Sequence, residues 1–186
     1  MISNFNHSIT HGARIALTGP NGKGKTTLLR TISDEIEPIS GSVKIGANVH
    51  IGYMTQEQES LSGDLNALET IQQHANLGET EIRSFLHYFL FTGDDVFTQV
   101  KHLSLGERSR LQLAALIVQG CDFLLLDEPI NHLDIPSRTQ FEQALSQFDG
   151  TILAVVHDRY FIQRFANELW ILGDSGTISI NHVGQT

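Results

Sequence analysis

A single cysteine, Cys121, stands in this chain of 186 residues, so neither an intramolecular disulfide nor a multi-cysteine zinc site can form. It sits beside an apolar run, where a buried thiol is the expected state. Basic residues are scarce as well: 12 Lys+Arg stand against 21 Asp+Glu, a formal charge of −9. That is the wrong sign for a domain that grips a phosphate backbone by itself, so any nucleic-acid contact must be local or borrowed. No apolar run approaches the ~18 residues of a spanning helix, and direct membrane insertion is not expected. Residues 1–5 carry neither a basic stretch nor an apolar core followed by small residues, so no secretory signal is visible and a cytoplasmic location is expected. Internal repeats, low-complexity tracts and linkers are also missing. What remains is 40% hydrophobic residues with 10 Phe and a mean hydropathy of −0.08, enough for one compact domain with a sizeable core over residues 1–186.

The punctuation alternates strand-like and helix-like runs. Residues 14–18 form a short apolar run that ends in a Gly-rich turn, and over 25–36 Leu28, Leu29, Ile32 and Ile36 fall at helical spacing. A hairpin is expected over 43–53, where Gly46-Ala47-Asn48 divides two alternating runs. Residues 64–91 read as helical, with Leu68 and Ile71 on one stretch and Ile82, Phe85, Leu86, Phe89 and Leu90 on the next, and the whole inserted helical lobe is expected at about 62–100. A helix over 104–118 then leads to a strand at 123–126, a helix near 135–148, a strand at 151–156, a short helix near 159–165 and two last strands at 168–172 and 177–180. Strands alternating with helices predict an α/β fold with a mainly parallel sheet, a small antiparallel β part and the inserted lobe.

Gly19-Pro20-Asn21-Gly22-Lys23-Gly24-Lys25-Thr26 fits G-x-x-x-x-G-K-[ST] at every constrained position, between a predicted strand and a predicted helix. Glycines at these places let the backbone wrap with its N–H groups aimed at anionic oxygens, and the helix that starts there adds its positive dipole end. The pattern points to a nucleotide. Lys25 would reach the β- and γ-phosphates, Thr26 would give its hydroxyl to Mg²⁺, and Thr27 completes the expected binding segment. Further on, four apolar residues run into Asp127-Glu128-Pro129 at the carboxyl end of a strand, the edge at which open α/β sheets bind ligands. Strand alternation would point the two acids in different directions, giving Asp127 to Mg²⁺ and Glu128 to an attacking water as its base.

Three more segments complete a pattern. Leu103-Ser104-Leu105-Gly106-Glu107 precedes a helix, Asn131-His132-Leu133-Asp134 continues the acidic motif, and Val156-His157-Asp158-Arg159-Tyr160-Phe161 closes the next strand. This constellation resembles the ATP-binding-cassette ATPases over nearly the whole chain, and the last two segments are similar to the ABC-F branch. The resemblance implies a single nucleotide-binding domain that binds and hydrolyses ATP with Mg²⁺. It makes Gln56 the glutamine that joins the Mg²⁺ and water shell, His157 a γ-phosphate contact, and Ser104, Gly106 and Glu107 part of a signature loop that meets nucleotide held by a second cassette. Asp134 falls in the segment that runs across the interface between two such domains. The partners implied are a second cassette, in trans or as a homodimer, and the ribosome, in translation or in protection against antibiotics.

Ser104-x-x-Glu107 is also a capping box, and the two roles are compatible. Against the family pattern, Leu105 stands where Gly is usual and Ile130 where Thr is usual. Only 18 residues precede Gly19, and Phe5 lies too near the loop to stack on adenine, so it is expected in the core. Tandem ABC-F proteins carry two cassettes and a charged linker, and the chain looks most like the second half of one. Two other readings share these residues: an ATPase subunit of a membrane transporter, and a non-catalytic, truncated nucleotide-binding module.

Overall fold

The short apolar runs become the strands of one sheet in the computed structural model, which describes residues 2–3, 5–55 and 61–184. In chain order the elements are β1 (Arg14–Thr18), α1 (Lys25–Ile32), β2 (Ile51–Met54), α2 (Ala67–Gln72), α3 (Glu79–Tyr88), α4 (Leu105–Val118), β3 (Phe123–Asp127), α5 (Ile135–Ser146), β4 (Thr151–Val155), α6 (Arg159–Phe165), β5 (Glu168–Leu172) and β6 (Ile178–His182). Two 3₁₀ turns, Gly93–Phe97 and Val100–His102, lie ahead of α4. The chain divides into two units: Met1–Thr55 with Asp122–Pro129 and Gly150–Thr186, and Gln56–Cys121 with Ile130–Asp149.

All six strands belong to the first unit and lie in the order β2-β3-β4-β1-β5-β6. Every pairing is parallel except β5 with β6, which forms the antiparallel part. Every residue of β3 and β4 is buried, as parallel strands covered on both faces require, and this explains their unbroken apolar runs. One core cluster gathers Ile15 and Leu17 of β1, Leu29 of α1, Phe123 and Leu125 of β3, Leu153 and Val155 of β4, and Trp170 of β5. Phe5, expected in the core, is partly buried and packs against it, its ring edge-on to Trp170 at 5.0 Å. The second unit is helical. Its α4 and α5 pack together, and Arg110 of α4 is buried with its Nε donating to the Phe89 carbonyl at 3.1 Å and its guanidinium 5.7 Å from the Phe91 ring centre. A second bond joins Arg110 to the Gln140 side chain of α5.

Three expectations are corrected. Residues 43–53 form no hairpin: only Ile51–Met54 is a strand, and it pairs in parallel with β3. Val43, Ile45 and Val49 are exposed, with no strand partner among the described residues, and alternation without a partner does not hold a strand. Helix α1 stops at Ile32 rather than 36, because Asp34 turns left-handed at φ +65° while the Glu35 and Ile36 amides both close on the Arg30 carbonyl. The two helical stretches expected within 64–91 are α2 and α3, each started by its own capping arrangement at Asn66 and Gly78. Cys121 is half-buried rather than buried, since it stands in the loop before β3 and not on the strand.

Candidate functional site

The phosphate loop leaves β1 and enters α1, and its backbone depends on glycine at two places. At Gly19, with φ +146°, a Cβ would come within 2.5 Å of the Leu172 carbonyl oxygen on the neighbouring strand β5. Gly24, the N-cap of α1, has φ +101°, a conformation that L side chains rarely adopt. No side chain caps α1, and its first turn carries no acid, whereas Asn66, Ser104, Asp134 and Asp158 cap α2, α4, α5 and α6. The first-turn amides of α1 are thus left to an incoming anion, with the helix dipole in favour of it. Lys25, only 6% exposed, donates from Nζ to the carbonyls of Gly19 at 2.9 Å and Pro20 at 3.0 Å, and to Asn21 Oδ1 at 3.5 Å. Burial lowers its pKa, against the opposing pull of Glu128 and Asp127. Lys23 reaches out to Asp174 at 3.0 Å, and Thr26 and Thr27 are exposed in the first turn of α1.

Strands β3, β4 and β1 are neighbours, so parallel pairing brings their carboxyl ends, and with them the acids, His157 and the loop, to one edge of the sheet. Asp127 closes β3 and is 4% exposed. The Tyr53 hydroxyl donates to its Oδ2 at 3.4 Å, and the Thr26 hydroxyl, from the first turn of α1, favours its charged form. Burial is the largest influence on this carboxyl and raises its pKa; the two hydroxyls work in the opposite direction. Tyr53, flanked by burial and by Asp127, has its phenol pushed up to about 12. Glu128 takes a left-handed conformation at φ +52° while its N–H donates to the Val155 carbonyl at 3.1 Å. The acids are therefore separated by a backbone reversal, beyond what strand alternation alone provides. A non-glycine residue held there stores about 1 kcal/mol or more of strain, a cost that clusters at functional positions. Glu128 Oε1 lies 3.8 Å from His157 Nε2, and His157 is 45% exposed.

In the helical unit, Ser104 caps α4. Its N–H and hydroxyl both donate to Glu107 Oε2, at 2.8 and 2.7 Å, and the Glu107 N–H donates back to Ser104 Oγ at 3.3 Å. Arg108 ties this corner down through the carbonyls of Leu103 at 3.1 Å and Lys101 at 2.9 Å. Gly106 lies so near α5 that a Cβ would stand 2.6 Å from Ser137 Cβ. Asp134 caps α5 by accepting from the Ser137 N–H at 2.8 Å, and its bonds to Ser137 hold its pKa below the ordinary carboxylate value. Leu105 is half exposed and Ile130 is buried. Gln56 lies outside the described residues.

Residues 2–131 match the sequence profile of the family described as "ABC transporter". The chain belongs to that family. This ATP-binding cassette is 45% identical to YdiF of Bacillus subtilis (strain 168) over 176 residues, which cover 94% of the chain and 27% of the relative. It is 40% identical to the ribosome protection protein VmlR of the same organism, over 95% of the chain and 32% of the relative. The cassette thus spans about a third or less of the length of these curated relatives. Its fold matches a dimeric structure of the ATP-binding cassette MJ0796 bound to ADP and Pi, with a TM-score of 0.78 and 21% identity over 98% of this chain and 90% of that one.

The Thr26 hydroxyl and the Asp127 carboxylate form a hard-oxygen pair suited to Mg²⁺, an ion that takes one or two protein ligands and completes its shell with phosphate and water. Among the described residues no group of three His, Cys, Asp or Glu gathers to bind a metal, and no helix is long and apolar enough to cross a membrane. Tyr53 escaped the sequence reading. Its only local signal was a place in a short alternating run, and the register that carries it to Asp127 is a property of the sheet.

Proposed function

We propose that this chain is an ATP-hydrolysing cassette of the ABC-F type, a single nucleotide-binding domain with its inserted helical lobe at about 62–100, acting in the cytoplasm with a second cassette. The observation that carries the reading is Glu128, held in a strained backbone conformation beside His157 at the sheet edge that also presents the uncapped start of α1. The loop amides and Lys25 bind the phosphates, for which Lys25 exchanges its present contacts with the loop's own carbonyls. Thr26 and Asp127 hold Mg²⁺, which when bound neutralises charge on the phosphate oxygens. Glu128 orients a water and takes its proton as the water attacks the γ-phosphorus in line. His157 donates a hydrogen bond to the γ-phosphate, and ADP leaves with its β-phosphate oxygen. Ser104 and Gly106 would serve the nucleotide of the partner cassette.

The similarity to VmlR and the segment Asn131-His132-Leu133-Asp134 support association with the ribosome. The deciding experiment is Glu128→Gln. Nucleotide binding should persist while turnover falls about a hundredfold or more, the range of general-base contributions. Light scattering with Mg-ATP should then show a trapped dimer. Unchanged turnover would refute the role of Glu128, and a nucleotide-bound monomer would refute self-pairing.

A further inference from the structure

Strand β2 brings to the acidic edge a side chain, Tyr53, to which the sequence reading gave no role of its own. Tyr53 stands in parallel register with Leu125, and Asp127 lies two residues further along β3, so strand alternation puts all three on one face of the sheet. That face is covered by α1: Leu29 and Leu125 are buried in the same cluster, with Leu28, Ile32 and Tyr53 packed against it. From this footing the Tyr53 hydroxyl reaches Asp127 Oδ2 at 3.4 Å. Asp127 thus takes a hydrogen bond from a neighbouring strand, at the phosphate loop's edge of the sheet.

We propose that Tyr53 is a positioning residue: its hydrogen bond fixes the orientation of the Asp127 carboxylate and thereby sets how strongly Mg²⁺ enhances nucleotide binding. The terminal torsion of an aspartate is broad, and a carboxylate anchored on one side only can swing. Mg²⁺ demands near-octahedral geometry, so a swinging ligand costs affinity, as the loss of an outer partner of a metal ligand generally does. The proposal rests on the nucleotide and Mg²⁺ reading given above. It is distinct from a space-filling role, because phenylalanine would fill the same volume beside Leu125 and leave only the hydroxyl missing.

The test is equilibrium binding of ATP by the wild-type chain and by Tyr53→Phe, each in Mg²⁺ and in excess EDTA, with the nucleotide-free thermal midpoint of both. The expected result is equal affinity in EDTA, similar midpoints, and an Mg²⁺-dependent gain about fivefold to tenfold smaller in the variant. Electron paramagnetic resonance of Mn²⁺ with ADP should show weaker metal binding and a broader spectrum in the variant. Equal gains in the two proteins would overturn the positioning role and leave the nucleotide reading intact. Loss of affinity in EDTA as well would also overturn it, since the ring would then be supporting the loop as a whole. A wild-type chain with no Mg²⁺-dependent gain would overturn the nucleotide and Mg²⁺ reading and this proposal with it.

Discussion

Gly106 belongs to a segment that sequence resemblance assigns to nucleotide contact, yet the structure gives it a second reason to be glycine. A Cβ there would stand 2.6 Å from Ser137 Cβ and 2.7 Å from Ser137 Oγ. Ordinary carbon contacts fall at about 3.5–4.0 Å, so Gly106→Ala forces α4 and α5 apart by about 1 Å. Rotating the serine hydroxyl relieves only one of the two contacts, because the Cβ does not move with it. Overpacking of this kind costs about 1–3 kcal/mol, and the better helix propensity of alanine returns at most about 1 kcal/mol. A net destabilisation of about 1–2 kcal/mol is expected in urea unfolding without nucleotide. Ser137→Gly keeps the backbone N–H that donates to Asp134 and removes both clashing atoms; alone it should cost about 0.5 kcal/mol. The double variant should be no less stable than Ser137→Gly, so the two changes would be strongly non-additive. If Gly106→Ala unfolds at the wild-type urea concentration, or if the two changes simply add, the packing argument is wrong and the glycine answers to nucleotide contact alone.

Two other outcomes follow from the geometry. Glu128→Gly removes the left-handed strain at φ +52° and should raise stability or leave it unchanged, the relief of about 1 kcal/mol offsetting the added freedom of the unfolded chain, while turnover is lost; marked destabilisation would show that the Glu128 side chain holds the fold. Asp134→Ala should lower stability at neutral pH. The pKa of Asp134 is held down in the native state, so its contribution is present above the ordinary carboxylate value and disappears as pH falls through the depressed one. Unfolding curves of wild type and variant should therefore converge in acid, and a gap independent of pH would assign the effect to something other than the charged cap.

Much of the site was legible because its chemistry is contiguous. The loop 19–26 needs glycines, a lysine and a hydroxyl at fixed offsets along one stretch of chain, and Asp127 and Glu128 follow directly on the run that forms β3. The apolar runs 123–126 and 152–156 likewise announced strands. The hairpin expected over 43–53 failed for the opposite reason. Alternation reports which residues suit a half-buried pleat and says nothing about whether a partner strand lies alongside. Ile51–Met54 has β3 and forms a strand; Val43 and Ile45 have no strand beside them among the described residues and stay exposed.

By itself, then, the sequence determined the elements whose cause is local: the phosphate loop, the capping box at Ser104 and the buried strands. The tertiary structure alone decided the order β3-β4-β1 that brings Glu128 to within 3.8 Å of His157, the register that carries Tyr53 to Asp127, and the approach of α5 that forbids a side chain at Gly106. Each of these joins residues far apart in the chain, and such contacts are set by how the sheet pairs and how the helices pack, quantities shared by many residues and written in no single stretch of them.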